Sequence, residues 1–254
     1  MDIKKYFKRI GLAENTKIEQ TYDFLKALQY ANVINVPYEN LDLVDKIPLS
    51  LEPCDLYDKI VNRARGGYCF EVNGLLSHML SEMGFETCDY LARYLRNETT
   101  IPFRRHRVVA VKCEGDVYIM DVGIGQTAPR YPLKLEAGLV QEQFGETYKF
   151  EKNEFGEWEL YDLYQGKWRI FYSFSEERQY NIDFVPPSFY CEAHPDSIFN
   201  KTLIIAIKTE KGRKTIDDKT FKVFENEKIV HIEEAMSDTR RAEVLKQEFG
   251  LKTI

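Results

Sequence analysis

The sequence predicts an α+β protein in three parts: a helical lobe over residues 1–84, a β-rich lobe over residues 85–190 and a small α/β lobe over residues 191–254. Three observations lead to this prediction. Apolar residues recur with the helical period of 3.6 in the first part, and strand-like runs joined by turn signals fill the second. The third part has strand-like runs followed by a segment with helical spacing.

The first lobe carries three helical patterns. Apolar side chains fall near one face over residues 18–31, then over residues 54–64, and again over residues 74–85. The side chains concerned are Tyr22, Leu25, Leu28 and Tyr30, then Leu56, Ile60 and Val61, and last Leu75, Leu76, Met79, Leu80 and Met83. Gly84 is expected to end the third helix, because glycine readily adopts the left-handed conformation found there.

The second lobe is predicted to contain antiparallel hairpins. Residues 86–95, 107–113 and 117–121 have strand character, and the turn between the last two is expected at residues 114–116. Two apolar and aromatic runs flank Gln165-Gly166 and predict a further hairpin.

The third lobe is predicted to mix strands with a terminal helix. Residues 202–209 and 213–232 have strand character and are interrupted by short polar turns. Ser237 and Asp238 are typical of a helix N-terminus, and they precede a helical pattern over residues 237–249.

Composition narrows the function classes. The 254 residues are 44% hydrophobic, which is ample for a packed core, and 41 acidic against 35 basic residues give a net charge of −6. An excess of anions argues against a nucleic-acid partner. The sequence has neither an apolar run long enough to span a membrane nor a signal-peptide core, so no membrane association is expected.

Cysteine usage predicts a reducing compartment. The five cysteines are odd in number and form no C-x-x-C pair, so neither a disulfide framework nor a metal site is expected. We therefore expect a cytoplasmic protein with free thiols.

One cysteine has a distinctive setting. Cys69 lies in residues 65–73, RGGYCFEVN, where two glycines allow a tight turn with unusual backbone dihedrals before a helix. This turn would place Cys69 in the first helical turn, where free N–H groups and the helix dipole favour the thiolate. The same amides could hold an oxyanion formed when Cys69 attacks a carbonyl group.

The alternative is that Cys69 is an ordinary buried cysteine, which is the usual role of a free thiol. The other four cysteines have no such setting and are expected to be structural: Cys54, Cys88, Cys113 and Cys191.

A catalytic thiolate needs a base, and four histidines are candidates. His78 follows Cys69 by nine residues on the same helix, about 13 Å along the axis and too far for a hydrogen bond. His194 and His231 have the surroundings of surface residues. His106 opens a strand, and Asp121 ends the strand expected to pair with it.

The predicted hairpin brings His106 and Asp121 to the same end, although their distances from the turn differ by about three residues. A bulge or a loose strand end would be needed to join them. In that arrangement Asp121 would orient the imidazole and stabilise its cation. The alternative is that Asp121 caps the glycine-containing turn that follows it.

These segments together resemble the arylamine N-acetyltransferase family. The resemblance rests on RGGYCFEVN at residues 65–73, RHRVVAV at 105–111 and YIMDVGIG at 118–125. PYENL at residues 37–41 and AHPDSIF at 193–199 are similar to further segments of that family. The similarity runs in order from about residue 20 to residue 225.

The resemblance implies a helical bundle, a central β-barrel and a C-terminal α/β lid, with a catalytic core like that of cysteine proteinases. It implies a triad of Cys69, His106 and Asp121, with Cys69 as nucleophile. It also implies transfer of an acetyl group from acetyl-coenzyme A, through acetyl-Cys69, to arylamines, hydrazines or N-hydroxyarylamines. No metal is implied.

Further residues gain expected roles from the resemblance. Structural support is expected from an Arg65–Glu39 ion pair and from Glu71 and Asn73, which would bind backbone donors. The coenzyme A pyrophosphate would meet the loop residues Gly123, Gly125, Gln126 and Thr127.

The expected acceptor pocket departs from the family pattern. Its residues would be Tyr68, Phe70, Tyr94, Ile124 and Phe199. Ile124 replaces the family's usual Phe and opens one wall, Tyr94 replaces Val and closes another, and Gln126 replaces a glycine. Such changes affect acceptor preference more than transfer itself.

Three arginines, Arg104, Arg105 and Arg107, flank His106. They would either meet coenzyme A phosphates or form a solvated strand entrance, and the second interpretation is favoured.

Three other functions remain open. The first is an amide synthase of the same superfamily with a polyketide or other acyl donor. The second is a papain-like or transglutaminase-like Cys–His–Asp hydrolase, which the Arg-Gly-Gly segment disfavours. The third is an inactive binding protein, which predicts a Cys69 that does not react with iodoacetamide near neutral pH.

Overall fold

The computed structural model describes residues 1–251. Five of the seven helices in the described residues precede residue 84, and the last of these, α5, begins at Cys69. The helices are α1 (Ile3–Arg9), α2 (Tyr22–Asn35), α3 (Leu41–Val44), α4 (Pro53–Tyr57), α5 (Cys69–Glu82), α6 (Val185–Ala193) and α7 (Asp238–Phe249). A π-helical turn, Asp58–Asn62, continues α4, and 3₁₀ turns cover Gly125–Thr127 and Asn181–Phe184.

Thirteen strands are found among the described residues. They are β1 (Tyr38–Glu39), β2 (Glu86–Tyr94), β3 (His106–Cys113), β4 (Asp116–Met120), β5 (Leu133–Lys134), β6 (Gln141–Gln143), β7 (Glu146–Lys152), β8 (Trp158–Tyr164), β9 (Lys167–Phe174), β10 (Ile204–Lys208), β11 (Gly212–Asp217), β12 (Thr220–Glu225) and β13 (Lys228–Glu233).

Eight strands form a nearly closed antiparallel barrel in the order β5-β4-β3-β2-β9-β8-β7-β6. The two edge strands meet through Gln141, whose side chain accepts from the Lys134 amide at 2.8 Å and donates to the Lys134 carbonyl at 3.0 Å. The barrel places the start of β3 and the end of β4 on the side facing α5.

The second sheet joins the two ends of the chain. Its order is β1-β10-β11-β12-β13, so a two-residue strand from the helical part extends the C-terminal sheet. Helix α7 packs on this sheet through Val244, Leu245 and Phe249.

Alternation along β3 explains how the helices and the barrel share a wall. Val109 and Val111 face the helical core, whereas Val108 and Ala110 face the barrel interior. Because side chains of a strand point alternately to opposite faces, a strand buried on both sides reads as a continuous apolar run.

The structure confirms the fold class and corrects several element limits. Helix α2 starts at Tyr22 with Thr21 as its N-cap, four residues later than predicted, because Thr21 accepts from the Phe24 amide. Gly84 has the expected positive φ of 88°, and Ser237 caps α7 by accepting from the Arg240 amide.

The predicted division at residues 84 and 190 stays a prediction, although α6 runs across residue 190. No helix in residues 1–251 is long and apolar enough to cross a membrane.

Candidate active site

Cys69 is the first residue of α5. The amides of Glu71 and Val72 both bond to the Tyr68 carbonyl, at 2.9 and 3.1 Å. The Cys69 and Phe70 amides have no backbone acceptor among the described residues, as expected at a helix start, and the Phe70 amide is directed at the Cys69 sulfur. Two backbone donors therefore lie beside the thiol.

The glycines before Cys69 serve a different purpose from the predicted one. Neither Gly66 nor Gly67 has positive φ, so the expectation of unusual dihedrals is wrong. They are needed for close approach instead: a Cβ on Gly66 would lie 2.0 Å from the Pro37 carbonyl oxygen, and one on Gly67 would lie 2.8 Å from Glu71 Cβ. The chain before α5 thus packs directly against the segment leading into β1.

His106 and Asp121 are joined by a hydrogen bond. His106 Nε2 lies 2.7 Å from Asp121 Oδ2, and both side chains are buried. Strands β3 and β4 pair Cys113 with Asp116 around a two-residue turn. Strand β4 ends at Met120, so Asp121 lies outside the paired part of the hairpin. Its side chain therefore reaches His106, the first residue of β3, without a bulge between the two strands.

Asp121 has both of the roles that the sequence offered as alternatives. Its Oδ1 accepts from the Gly123 amide at 2.9 Å, which closes the turn after β4, while Oδ2 holds His106. A third donor, Asn73 Nδ2, also lies 2.9 Å from Oδ1. A carboxylate that accepts from three donors is held in one orientation, which suits it to orient an imidazole.

Asn73 connects the site helix to the hairpin. Its Nδ2 also donates to the Arg107 carbonyl at 2.6 Å, and its Oδ1 accepts from the Val122 amide at 2.9 Å. These bonds fix the distance between α5, which carries Cys69, and the strand that carries His106.

Cys69 and His106 line the same cavity, of about 750 Å³. This volume is within the range typical of small-molecule sites. The loop after Asp121 also lines it through the predicted donor-binding residues Gly123, Gly125, Gln126 and Thr127. Gly123 passes so close to α5 that a Cβ there would lie 2.7 Å from the Cys69 Cα.

The predicted acceptor residues divide into two groups. Tyr94, Ile124 and Phe199 line the cavity. Tyr68 and Phe70 do not, and this part of the prediction is corrected: both are fully buried in an apolar cluster under the cavity floor. Tyr68 bonds to Ser188 and Phe70 packs on Phe184, because the start of α5 points these rings towards α6.

The state of the Cys69 thiol depends on its burial. Burial raises the pKa of Cys69 well above its ordinary value, and Cys191 and Asp121 raise it further, whereas the backbone amides of Arg107 and Phe70 lower it. The helix start therefore favours the thiolate as expected, but burial outweighs it. Sγ lies 3.7 Å from the Arg105 carbonyl, to which it donates. A thiolate here requires a base to take the proton.

We expect iodoacetamide to alkylate Cys69 at pH 7 at least about tenfold faster in the wild type than in a His106→Gln variant, since one unit of pKa is a factor of ten in thiolate. In the variant the rate should climb as pH rises, because a thiol with a raised pKa ionises only in alkali. Mass spectrometry of the peptide containing Cys69 measures both rates. Equal rates at pH 7 would show that His106 does not activate the thiol.

Arg65 and Glu39 form the expected contact within a larger buried network. Arg65 Nε donates to Glu39 Oε1 at 2.9 Å, and its Nη2 also reaches Asp42 at 2.8 Å. Lys59 lies 2.6 Å from Asp42 and 2.7 Å from Glu71. Burial opposes ionisation of Asp42, but Lys59 and Arg65 hold its pKa below the ordinary value.

Glu71 connects this network to the site helix. One of its oxygens accepts from Lys59 and the other accepts from the Tyr68 amide at 3.1 Å. The ions beneath the glycine turn are therefore bonded directly to the N-terminus of α5.

The arginines around His106 are all paired. Arg107 is buried and bonds to Asp89 at 2.6 Å, so the solvated strand entrance is wrong for this residue. Arg104 bonds to Glu157, and Arg105 bonds to Glu98 while lining the cavity. Arg107 differs because it lies within β3 and, like Val109 and Val111, points to the helical side, whereas Arg104 and Arg105 precede the strand.

The remaining cysteines and histidines lie away from the reacting atoms, with one exception. All five cysteines are free thiols. Cys191 belongs to the same apolar cluster as Cys69. His78 pairs weakly with Glu82, His194 stacks on Tyr190, and His231 is exposed.

Two aromatic residues beside the site were missed by the sequence analysis. Tyr38 lines the cavity from β1, and the Tyr172 ring centroid lies 5.5 Å from that of His106. PYENL pointed to the first of these, but nothing in the pattern around Tyr172 distinguishes it from other barrel residues. In residues 1–251, no three His, Cys, Asp or Glu side chains are grouped so that they could hold a metal ion.

Comparison with known proteins extends these findings. A family model described as N-acetyltransferase matches residues 21–253. The arylamine N-acetyltransferase of Mycobacterium tuberculosis is 35% identical over 219 residues, which cover 84% of this chain and 76% of that protein. The arylamine N-acetyltransferase/N-hydroxyarylamine O-acetyltransferase of Salmonella typhimurium is 30% identical, over 91% of this chain and 83% of that protein.

A solved structure has the same fold. The arylamine N-acetyltransferase of Mycobacterium marinum in complex with CoA superimposes with a TM-score of 0.91 at 28% identity, covering 98% of this chain and 93% of that one.

Proposed function

The chain belongs to the arylamine N-acetyltransferase family, and we propose that it is an acyltransferase that moves an acetyl group from acetyl-coenzyme A to arylamines, hydrazines or N-hydroxyarylamines. The observation that carries the proposal is the shared cavity of Cys69 and His106, with Asp121 bonded to His106 from behind. This arrangement supplies a nucleophile, a base and a group that orients the base.

The first half-reaction transfers the acetyl group from coenzyme A to Cys69. His106 takes the proton of Cys69, and the thiolate attacks the thioester carbonyl of acetyl-coenzyme A. The amides of Cys69 and Phe70 at the start of α5 are not bonded to any backbone carbonyl, and they can stabilise the resulting oxyanion. The bond to the coenzyme A sulfur then breaks, His106 returns the proton to that sulfur, and acetyl-Cys69 remains.

The second half-reaction transfers the acetyl group from Cys69 to the acceptor. The acceptor nitrogen or hydroxyl attacks acetyl-Cys69, and His106 accepts its proton. The bond from the acetyl carbon to Cys69 Sγ breaks, and the proton passes to the sulfur. Asp121 stabilises the imidazolium in both halves, so the chemistry needs no other base.

The donor is proposed to lie along the loop of Gly123, Gly125, Gln126 and Thr127. This loop turns sharply, with a φ of 66° at Gly125, the first residue of a 3₁₀ turn, and it lies within the cavity wall. Gln126 Oε1 accepts from Arg213 Nε at 3.1 Å, which brings a guanidinium of the second sheet, itself paired with Glu227 at 2.6 Å, to the same loop. A guanidinium beside a glycine turn can bind an anionic substrate.

The acceptor is proposed to lie against Tyr94, Ile124 and Phe199, which line the cavity with Cys69. We also propose a cytoplasmic location, supported by five free thiols, and small molecules rather than nucleic acid or membrane as partners, supported by the net charge of −6.

The proposal is tested by measuring coenzyme A release and N-acetylated product with a panel of arylamines and hydrazines, with Cys69→Ala as the control. Product that depends on both acetyl-coenzyme A and Cys69 is expected. A hydrolase or an inactive binding protein would give no acetylated amine, and an amide synthase would require a different acyl donor.

A further inference from the structure

The main chain of Arg107, the residue after His106 on β3, contacts the groups that hold the site together. Its carbonyl accepts from Asn73 Nδ2 at 2.6 Å, and the same Nδ2 donates to Asp121 at 2.9 Å. Its amide is directed at the Cys69 sulfur and lowers the pKa of that thiol against the effect of burial. A displacement of this peptide segment would therefore move the base and a donor to the thiolate together.

The side chain of Arg107 is anchored between α5 and the barrel. It is 4% exposed, and its Nη2 donates to Asp89 Oδ2 on β2 at 2.6 Å. Its Nη1 donates to Asn181 Oδ1 at 3.0 Å, and the guanidinium carbon lies 4.3 Å from the Phe184 ring centroid. A planar guanidinium that is bonded through both of its terminal nitrogens and stacked on a ring is held in one position.

Asp89 connects this anchor to the helix that carries the thiol. Its Oδ2 also accepts from Ser77 Oγ on α5 at 3.0 Å. The Arg107 guanidinium passes the same helix so closely that a Cβ on Gly74 would lie 2.9 Å from Nη1. Strand β3 is therefore held to α5 at two places, by the main chain of Arg107 through Asn73 and by its side chain through Asp89.

Stability alone is a poor explanation for this buried pair. Two of its atoms, Arg107 Nε and Asp89 Oδ1, are buried without a hydrogen-bond partner among the described residues, and such atoms destabilise a fold. Apolar side chains of similar volume often replace a buried ion pair without loss of stability. The place of the pair, directly beside His106, accounts for it better.

We infer that Arg107 is a positioning residue of the site, which acts through its main chain on the thiol and on the base. Its guanidinium, held by Asp89 and Asn181, fixes the peptide segment that carries His106. The inference rests on the proposed function and adds a residue to it. Arg107 does not line the cavity, so its loss should impair ionisation of Cys69 and the acetyl-transfer steps rather than the binding of acetyl-coenzyme A.

The test compares the wild type with Arg107→Gln and Arg107→Lys. In Arg107→Gln we expect the pH midpoint for alkylation of Cys69 by iodoacetamide to rise by about one unit, which is a tenfold smaller thiolate fraction below the midpoint. We expect kcat with one arylamine to fall at least about tenfold, and KM for acetyl-coenzyme A to stay within about twofold. Arg107→Lys should be intermediate, because an ammonium keeps the charge but not the planar fork. Arg104→Gln is the control, since Arg104 pairs with Glu157 and does not line the cavity.

A paired replacement separates position from stability. Arg107→Met leaves the Asp89 carboxylate buried and unpaired, so the melting temperature should fall. Arg107→Met combined with Asp89→Leu removes both charges and should recover most of that loss. A positioning role predicts that the alkylation midpoint and kcat stay shifted in the paired variant although its melting temperature recovers.

A wild-type alkylation midpoint in Arg107→Gln overturns the inference and leaves the proposed function standing. Recovery of the midpoint together with the melting temperature in the paired variant also overturns it, by assigning Arg107 to stability alone. A wild-type protein that acetylates no arylamine would overturn the proposed function instead. The alkylation midpoint decides the role of Arg107 in that case as well, because it needs neither acetyl-coenzyme A nor an acceptor.

Discussion

An Asp121→Asn variant is expected to lose about 10⁴-fold in kcat for acetyl transfer, the loss seen when the orienting carboxylate of a catalytic triad is replaced. An amide can still face Gly123 and His106, but it cannot stabilise the imidazolium that forms in each half-reaction. Steady-state kinetics of coenzyme A release measures the loss.

The control for this variant is Asp116→Asn. Asp116 lies on the same hairpin, is partly exposed and pairs with Lys134 away from the cavity. Its substitution should leave the rate within a few-fold of the wild type. A loss of less than tenfold in Asp121→Asn, with the fold intact by circular dichroism, would contradict the assigned role.

Arg65→Met is expected to destabilise the protein by about 3–5 kcal/mol, because it leaves the fully buried Glu39 carboxylate without its partner. Arg65 is 3% exposed and Glu39 is 0% exposed, so water cannot replace the guanidinium. The free energy of unfolding follows from urea denaturation. The melting temperature should fall by roughly 10 °C.

A matched control is available two residues away. Arg63 pairs with Asp58, but both side chains are more than half exposed, so Arg63→Met should change stability little. Similar losses in the two variants would show that the buried network contributes no more than a surface pair.

The main elements of the site could be predicted because their signals are local. The glycines, the cysteine and the helix that follows occur within nine residues, and the period of the apolar residues gives the helix. The His106–Asp121 pair was predictable in outline, since a single tight hairpin joins them. The end of β4 at Met120 could not be predicted, because it depends on the hydrogen bonds that Asn73 and Gly123 donate to Asp121.

The errors have the same origin, which is contact between distant segments. Sequence patterns suggested special dihedrals at Gly66 and Gly67. Glycine is required there instead because the Pro37 carbonyl and the Glu71 side chain leave no space for a Cβ. Tyr68 and Phe70 flank Cys69 in sequence, yet the packing of α6 draws both rings away from the cavity. Likewise Asp42 and Lys59 joined the Arg65 network without any local signal.

The residues that depart from the family pattern, Tyr94, Ile124 and Gln126, all line the cavity. Tyr94 was expected only to narrow the pocket; burial raises the pKa of its hydroxyl, and the charges of Arg96 and Arg105 oppose that rise. Tyr94, Arg96 and Arg169 line one side of the cavity because β2 pairs with β9, and no single motif reveals this grouping.

The most direct test of the account is to mix the protein with acetyl-coenzyme A alone, without an acceptor, and to determine its mass and the modified peptide. We expect the mass to rise by one acetyl group, located on Cys69 and lost when an arylamine is added. Cys191→Ala should still acquire the group, although it removes a thiol of the same buried cluster. A wild-type protein that gains no acetyl group, or gains it equally in Cys69→Ala, would contradict the covalent mechanism.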